Sequence, residues 1–490
     1  MAHNIETERW GRFELRTSGP SGGNPYADVR FSAKFRYGNR TVDVSGFYDG
    51  DGHYVIRFMP DTTGEWTFET DSNMPELAGI RGSLICTEPS ARNHGPVGVD
   101  RIHHFAYADG TPFHPFGTTS YVWNHQPEQL QEQTLQSLSK SAFNKIRMCV
   151  FPKHYDYNHA EPERFPFEGS LAQGFDFSRF DPSYWRKLES QIEALQGLGI
   201  EADLILFHPY DRWGFAKMSA EEDDRYLRYL MARLSSFRNV WWSLANEFDL
   251  MHAKTMQDWD RFFRVIQEND ANQHLRSIHN WHHPGLHYTS NAHWYDHGKP
   301  WVTHVSIQHH DLHFVTDWRK LYRKPIVVDE CRYEGDLNHG WGNITGQKML
   351  ACFWEGAARG GYVTHGETFL NPENVIWWSH GGKLRGESPA RIQFLRSIME
   401  AGPQLGETAV DFEWDAASAG VDGEYYLVYF GESRPGYRIL NLPEGVTFTV
   451  DLIDTWEMKV TKLPGEYAGT CRVDLPGKAY QALRIQKVKK

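Results

Sequence analysis

Val240-Trp241-Trp242-Ser243-Leu244-Ala245-Asn246-Glu247-Phe248 is an apolar run that ends in an amide followed by a carboxylic acid. A run of this kind reads as a buried parallel strand, and a barrel enzyme places its chemistry at the C-terminal tips of such strands. The device recurs in Lys324-Pro325-Ile326-Val327-Val328-Asp329-Glu330. Two carboxylates on the tips of different strands of one barrel can face each other across a sugar, one as acid and the other as nucleophile. The pair therefore points to glycosidase chemistry.

Around these two runs, from about residue 110, strands alternate with amphipathic helices in the pattern of a parallel α/β domain. The expected units are strand 113–121 with helix 127–141, strand 144–151 with helix 182–198, and strand 201–208 with helix 219–236. Strand 239–246 with helix 255–270 and strand 275–281 follow. The last three are strand 301–307 with helix 314–323, strand 325–330 with helix 345–359, and strand 361–366 with helix 389–401. Eight strand slots close a barrel, so residues 96–402 are expected to form a (β/α)8 TIM barrel. A doubly wound nucleotide-binding sheet would carry a Gly-x-Gly-x-x-Gly turn after its first strand, and the sequence has none there.

The flanks read differently. Residues 1–95 hold short alternating runs, Val29–Tyr37, Tyr54–Phe58 and Glu65–Thr70, punctuated by Asp49-Gly50-Asp51-Gly52 and Thr63-Gly64. This pattern predicts an N-terminal β-sandwich. After Gly402-Pro403 the β-like runs return at Tyr425–Phe430, Phe448–Ile453 and Ala479–Leu483, which predicts a small C-terminal β-domain of the sandwich type over 403–490.

With 490 residues, 40% of them hydrophobic, the chain is long enough for two or three cores. Its formal charge of -12 comes from interspersed acids and bases, with no basic stripe for a phosphate backbone, so nucleic acid is not an expected partner. No run approaches 18 uninterrupted apolar residues, which argues against a membrane span. The start, Met1 to Trp10, lacks the basic and apolar regions of a secretory leader, and the five cysteines are scattered, so a reduced, cytoplasmic setting is expected. The oligomeric state is left open.

Glu247 is expected to be the general acid and base, with Asn246 donating to a neighbouring sugar hydroxyl. Otherwise Glu247 would be a solvated loop residue. Adjacent strand residues point to opposite sides, so Asp329 and Glu330 are not expected to face the cavity together, and position at the tip favours Glu330 as the nucleophile. Arg147, in Asn144-Lys145-Ile146-Arg147-Met148-Cys149-Val150, sits where an unpaired guanidinium is costly; Glu330 is its expected partner, or else another buried acid. His208 ends strand three. Trp123, His154, Tyr210, Asp211, Trp281, Glu367 and Trp378 follow other strands and are candidates for a polar and aromatic sugar pocket, or for loop packing. Glu334 and Glu367 are alternative acids.

Phe143-Asn144-Lys145-Ile146-Arg147, Leu204–His208, Asn246-Glu247 and Glu330 together resemble the clan of retaining (β/α)8 glycoside hydrolases that includes the cellulase and mannanase family. Lys324–Gly335 and the Thr364-His365-Gly366 turn are closer to its apiosidase-like group. The resemblance implies Glu247 as acid/base, Glu330 as nucleophile and a sandwich ahead of the barrel. It also puts His309 at the strand-six position that is often tyrosine in the clan.

Competing chemistries have less behind them. Histidine doublets at His103-His104, His282-His283 and His309-His310 raise a metal enzyme, but the two-imidazole spacings His-x-His and His-Glu-x-x-His are missing where they are needed, so neither metal nor cofactor is expected. The one Gly-x-Ser-x-Gly match, Gly19–Gly23, lies in a Gly/Pro loop instead of a strand-to-helix elbow. Transglycosylation by the same carboxylate pair, or non-catalytic carbohydrate binding, stand as alternatives to hydrolysis of a carbohydrate substrate.

Overall fold

The computed structural model describes residues 5–281, 294–406 and 415–488; the doublet His282-His283 and the first four residues lie outside them. Eight parallel strands form the central sheet: β1 (Gly117–Thr119), β2 (Lys145–Cys149), β3 (Glu201–Phe207), β4 (Val240–Ala245), β5 (Arg276–Ser277), β6 (Val305–Gln308), β7 (Ile326–Glu330) and β8 (Tyr362–His365). They are ordered β5-β4-β3-β2-β1-β8-β7-β6, a ring lacking only the ladder between β5 and β6. Thr303 spans that seam: its N–H donates to the Arg276 carbonyl at 2.9 Å, and its hydroxyl accepts from the Arg276 N–H at 2.7 Å.

Among the described residues seven helices of eight residues or more pack outside: α1 (Glu128–Leu138), α2 (Pro182–Gly197), α3 (Ala220–Leu234), α4 (Met256–Asn269), α5 (Val315–Tyr322), α6 (Gly346–Ala358) and α7 (Ser388–Ala401). Local chemistry sets several starts. Ser219 with Glu222, and Thr255 with Asp258, close reciprocal capping boxes on α3 and α4. The elements alternate as the sequence predicts, but β1 and β5 are much shorter than expected. Pro112-Phe113 pairs with a separate hairpin instead of extending β1, and Pro115 has no N–H to give a ladder. That hairpin (Val97–Asp100, His104–Tyr107) plugs the N-terminal end of the barrel, with the Phe105 ring 5.1 Å from Trp241 and 5.4 Å from Tyr362.

The two β flanks are present. On the N-terminal side a five-stranded and a three-stranded sheet enclose Phe13, Phe35, Phe58, Trp66 and Phe68, with Phe35 stacked on Phe58 at 4.0 Å. Buried charges join this layer to the barrel helices: Arg57 donates to Glu189 on α2 at 3.0 Å, and Arg233 on α3 reaches Asp49 at 2.8 Å. On the C-terminal side a five-stranded and a two-stranded sheet meet α6 and α7 through Trp354 against Tyr429 and Arg391 over the Trp456 ring.

The barrel interior is polar as well as aliphatic. Lys145 on β2 donates to Asp203 on β3 at 2.7 Å and to Asp329 on β7 at 2.9 Å, all three side chains being essentially inaccessible to solvent. Ser306 and Thr364 give Asp329 two further bonds, at 2.6 and 2.7 Å. Removing the cation leaves two buried carboxylates facing each other. Lys145→Met is therefore expected to cost about 3–5 kcal/mol of folding stability, read from chemical denaturation; a loss below about 1 kcal/mol, the scale of an exposed pair, would show that the triad does not hold the barrel.

Candidate active site

A cavity of about 840 Å³ opens at the C-terminal mouth of the barrel, over the tips of β2, β3, β4, β6 and β7. Two local distortions aim its acids. Glu247 follows β4 in a left-handed conformation, φ 52° and ψ 53°, which a residue with a Cβ adopts only when its surroundings compel it. On the other side, the β6–β7 register steps from Ile307↔Val328 to Gln308↔Glu330, so Asp329 is the extra residue of a bulge. A bulge re-aims the side chain that follows it. Asp329 is thereby held by Lys145 inside the barrel, while Glu330 turns into the cavity.

Glu247 and Glu330 converge on one group. The Gln308 side-chain nitrogen donates to Glu247 Oε1 at 3.1 Å and also to Glu330 Oε2. Carboxylates only accept, so the amide must present its NH2, and its two hydrogens serve one acid each. Two hydrogen-bond lengths from a shared atom put those oxygens no more than about 6 Å apart. Tyr210 donates to the other Glu247 oxygen, and the Tyr121 hydroxyl bonds Glu330 Oε1 and lies 3.2 Å from Asn246 Oδ1.

The electrostatics separate the two acids. Burial, and behind it the charge of Glu330, pushes Glu247 up to about 7 against the opposing pull of Lys153, Tyr210 and Gln308. Burial and the same carboxylate charges push the Tyr121 and Tyr210 phenols up, so both remain donors. Tyr333, also raised by burial and by Glu330, closes that side. Trp378 forms the back wall, its ring 5.2–5.6 Å from those of Trp341, Tyr155, Tyr157, Tyr333 and Tyr121.

Of the residues picked from sequence, Asn246, Glu247, Glu330, His154, Tyr210, Asp211, Trp281, His309 and Trp378 line the cavity. Four others do not. Arg147 is fully buried and, among the described residues, makes neither an ion pair with Glu330 nor any side-chain hydrogen bond. The bulge lifts Glu330 away to Tyr121 and Gln308; burial works against the guanidinium charge, and Asp329, ahead of Glu330, works for it. His208 turns its Nε2 to the Phe151 carbonyl, 3.2 Å away. Trp123 is entirely within the hydrophobic core. Glu367 accepts the backbone N–H groups of Arg385 and Gly386, and Glu334 those of Glu387 and Ser388, so both acids fasten the entry to α7.

The strand-six expectation also shifts by one residue. His309 lines the cavity, but its Nδ1 is engaged by the Asp311 N–H at 3.0 Å, while the neighbouring Gln308 meets the carboxylates. Gln308, Tyr121, Tyr155 and Lys153 also line the cavity and are not among the residues picked from sequence. Lys153, four residues past the end of β2, follows the same strand-tip rule that picks out Glu247, and that signal would have found it.

Replacing Glu330 by Gln removes the neighbouring negative charge while keeping the shape. The Glu247 titration is then expected to move to lower pH, measurable by carboxyl infrared difference spectra across a pH series; no movement would mean that burial alone sets it.

The sequence profile of the apiosidase-like catalytic domain matches residues 100–398. Profiles of two domains of unknown function match the flanks, DUF5060 at 6–73 and DUF5605 at 414–486. The crystal structure of a candidate glycoside hydrolase from Bacteroides vulgatus is 42% identical, with a TM-score of 0.92 over 99% of this chain and 100% of that one. A family 5 glycoside hydrolase from the same organism shares the fold at 16% identity, with a TM-score of 0.59 over 80% of this chain and 94% of that one. No curated protein matches the chain.

Proposed function

Because the chain belongs to the apiosidase-like catalytic-domain family and is a glycoside hydrolase, we propose that it cleaves a glycoside by double displacement with retention of configuration, Glu330 acting as nucleophile and Glu247 as acid and base. The observation that carries this reading is the shared Gln308 nitrogen. Carboxyl groups about 5–5.5 Å apart suit a covalent intermediate, whereas an inverting pair stands about 6.5–9.5 Å apart to admit water. A single amide bridging both acids favours the shorter spacing.

In the first step a Glu330 oxygen attacks the anomeric carbon as the glycosidic bond breaks. The departing oxygen takes the proton from Glu247, which its raised affinity supplies near neutrality. In the second step water attacks the same carbon, gives its proton to Glu247 and frees Glu330. Tyr121 and Gln308 hold Glu330 in place, each donating a hydrogen bond to it. Aromatic faces around Trp378 offer the apolar side of a sugar ring a surface to lie on.

Glu330→Gln is expected to abolish turnover of an aryl glycoside. Glu247→Ala is expected to lose about 10²–10⁴-fold on poor leaving groups and, with azide added, to release a glycosyl azide of the substrate's own anomeric configuration. An azide or first-formed sugar of opposite configuration, followed by NMR, sinks the retaining reading.

The acid must hold its proton, so kcat/KM should fall as pH rises through about 7. Gln308 hydrogen-bonds Glu247 in the form that favours ionisation, so Gln308→Leu should shift that limb to higher pH while lowering the maximal rate. A limb that stays in place would detach Gln308 from the titration.

A further inference from the structure

Lys153 is the one lysine on the cavity lining, and it is 2% exposed. Its ammonium lies 3.6 Å from the centroid of Tyr121, 4.2 Å from Tyr210, 4.4 Å from Tyr155 and 5.6 Å from Trp378. Among the described residues it has no hydrogen-bond acceptor, and neither Glu247 nor Glu330 comes within ion-pair distance. Tyr121 and Tyr210 are the phenols that bond Glu330 and Glu247, so the ammonium lies against the rings whose hydroxyls serve the two acids. Desolvation lowers its proton affinity, and the charges of Glu247 and Glu330 counter that effect.

Burying an ammonium without an acceptor is costly, and aromatic faces recover only part of the lost hydration. An anionic group on the sugar supplies the charged acceptor that this ammonium lacks, a stronger partner than a hydroxyl. The lining holds a second cation without an ion-pair partner among the described residues, this one exposed to solvent. Arg332, two residues past Glu330, is exposed at the rim, makes no ion pair among the described residues and is held at φ 84°. The lining's remaining carboxylates do not answer these charges: Asp211 accepts the N–H groups of Trp213, Gly214 and Ala216, and Asp156 is exposed.

We propose that the sugar cleaved in this cavity carries an anionic substituent, a uronate carboxylate or a sulfate ester, which Lys153 receives and Arg332 helps to draw in. The inference rests on the glycosidase reading above and goes beyond it in naming the substrate class. Its place against the two tyrosines that bond the acids assigns the charged group to the ring whose anomeric carbon reacts, and the three ammonium hydrogens supply the donors for it.

The test compares 4-nitrophenyl glycosides of glucuronic acid, galacturonic acid, glucose 6-sulfate and galactose 6-sulfate with those of glucose and galactose, in both anomeric series. An anionic member is expected to exceed its neutral parent at least tenfold in kcat/KM, and the uronide and sulfate arms identify the source of the charge. Lys153→Met should lower that ratio toward one while Lys153→Arg largely keeps it. A neutral parent turned over as fast as its anionic counterparts overturns the proposal and leaves the glycosidase reading standing, as does a Lys153→Met ratio unchanged from wild type. Should none of these glycosides turn over, the cleaved sugar lies outside the panel and the glycosidase assignment is untouched. Calorimetric binding of free glucuronate and galacturonate against glucose and galactose then decides the present point, equal affinities overturning it. The wild-type comparisons stand even if Lys153→Met does not fold.

Discussion

Two carboxyl groups brought together at a buried barrel mouth repel each other and lose hydration, and the architecture around them is arranged to bear that cost. The device that joins them among the described residues is the Gln308 amide, which donates a hydrogen to each. It reaches both because the β7 bulge lifts Glu330 onto its level, and because a left-handed residue at the end of β4 swings Glu247 inward. Each distortion is unfavourable in isolation. Both persist because a rigid parallel sheet and two tyrosines fix what lies on either side.

The same bulge explains how two adjacent acids serve different ends. Strand alternation alone would send Asp329 and Glu330 to opposite faces. With the bulge, Asp329 stays in the barrel interior with Lys145, Ser306 and Thr364, and Glu330 stands above it. The interior thus anchors the strand one residue before the reacting group. Two cations, Lys145 and Arg147, and two carboxylates, Asp203 and Asp329, occupy neighbouring positions on β2, β3 and β7, so the charge of Arg147 is answered through space although its nitrogens find no bonded partner. The N-terminal β layer repeats this logic on the outside, where Arg57, Arg233, Glu189 and Asp49 satisfy one another across the contact with α2 and α3.

The periodic features were legible in the sequence: strand and helix alternation, the polar tips of β4 and β7, and the short β runs of the flanks. Those signals are local and repeat along the chain, so one sequence carries them. The bulge, the register step and the side-chain turn at Glu247 depend on contacts between β6 and β7, 22 positions apart at Gln308 and Glu330, and between β4 and β6, 61 apart at Glu247 and Gln308, and leave no periodic trace. Arg147 shows the consequence. Its burial was readable from its strand, but its expected partner changed when Glu330 moved up by one position and Lys145 captured the acid beneath. Glu334 and Glu367 were readable as acids near strand ends, yet the backbone N–H groups of 385–388, far along the chain, claim them.

The aromatic wall and the buried ammonium belong to one physical argument. Tyrosines beside carboxylates must keep their protons to act as donors, and burial secures this by raising their proton affinity. Their ring faces then carry the negative side of the π quadrupole toward Lys153, which lets a desolvated cation remain charged without a carboxylate in contact. A direct Lys153–Glu330 ion pair would hold the nucleophile's charge and blunt its attack. An ammonium held by rings instead leaves Glu330 to two neutral hydrogen bonds, keeps its own donors directed at the cavity, and lowers the field that the two acids would otherwise turn on an incoming ligand. One set of tyrosines thus stabilises the acids through their hydroxyls and the cation through their faces, which is why the charged groups of this mouth can sit so close together without neutralising one another.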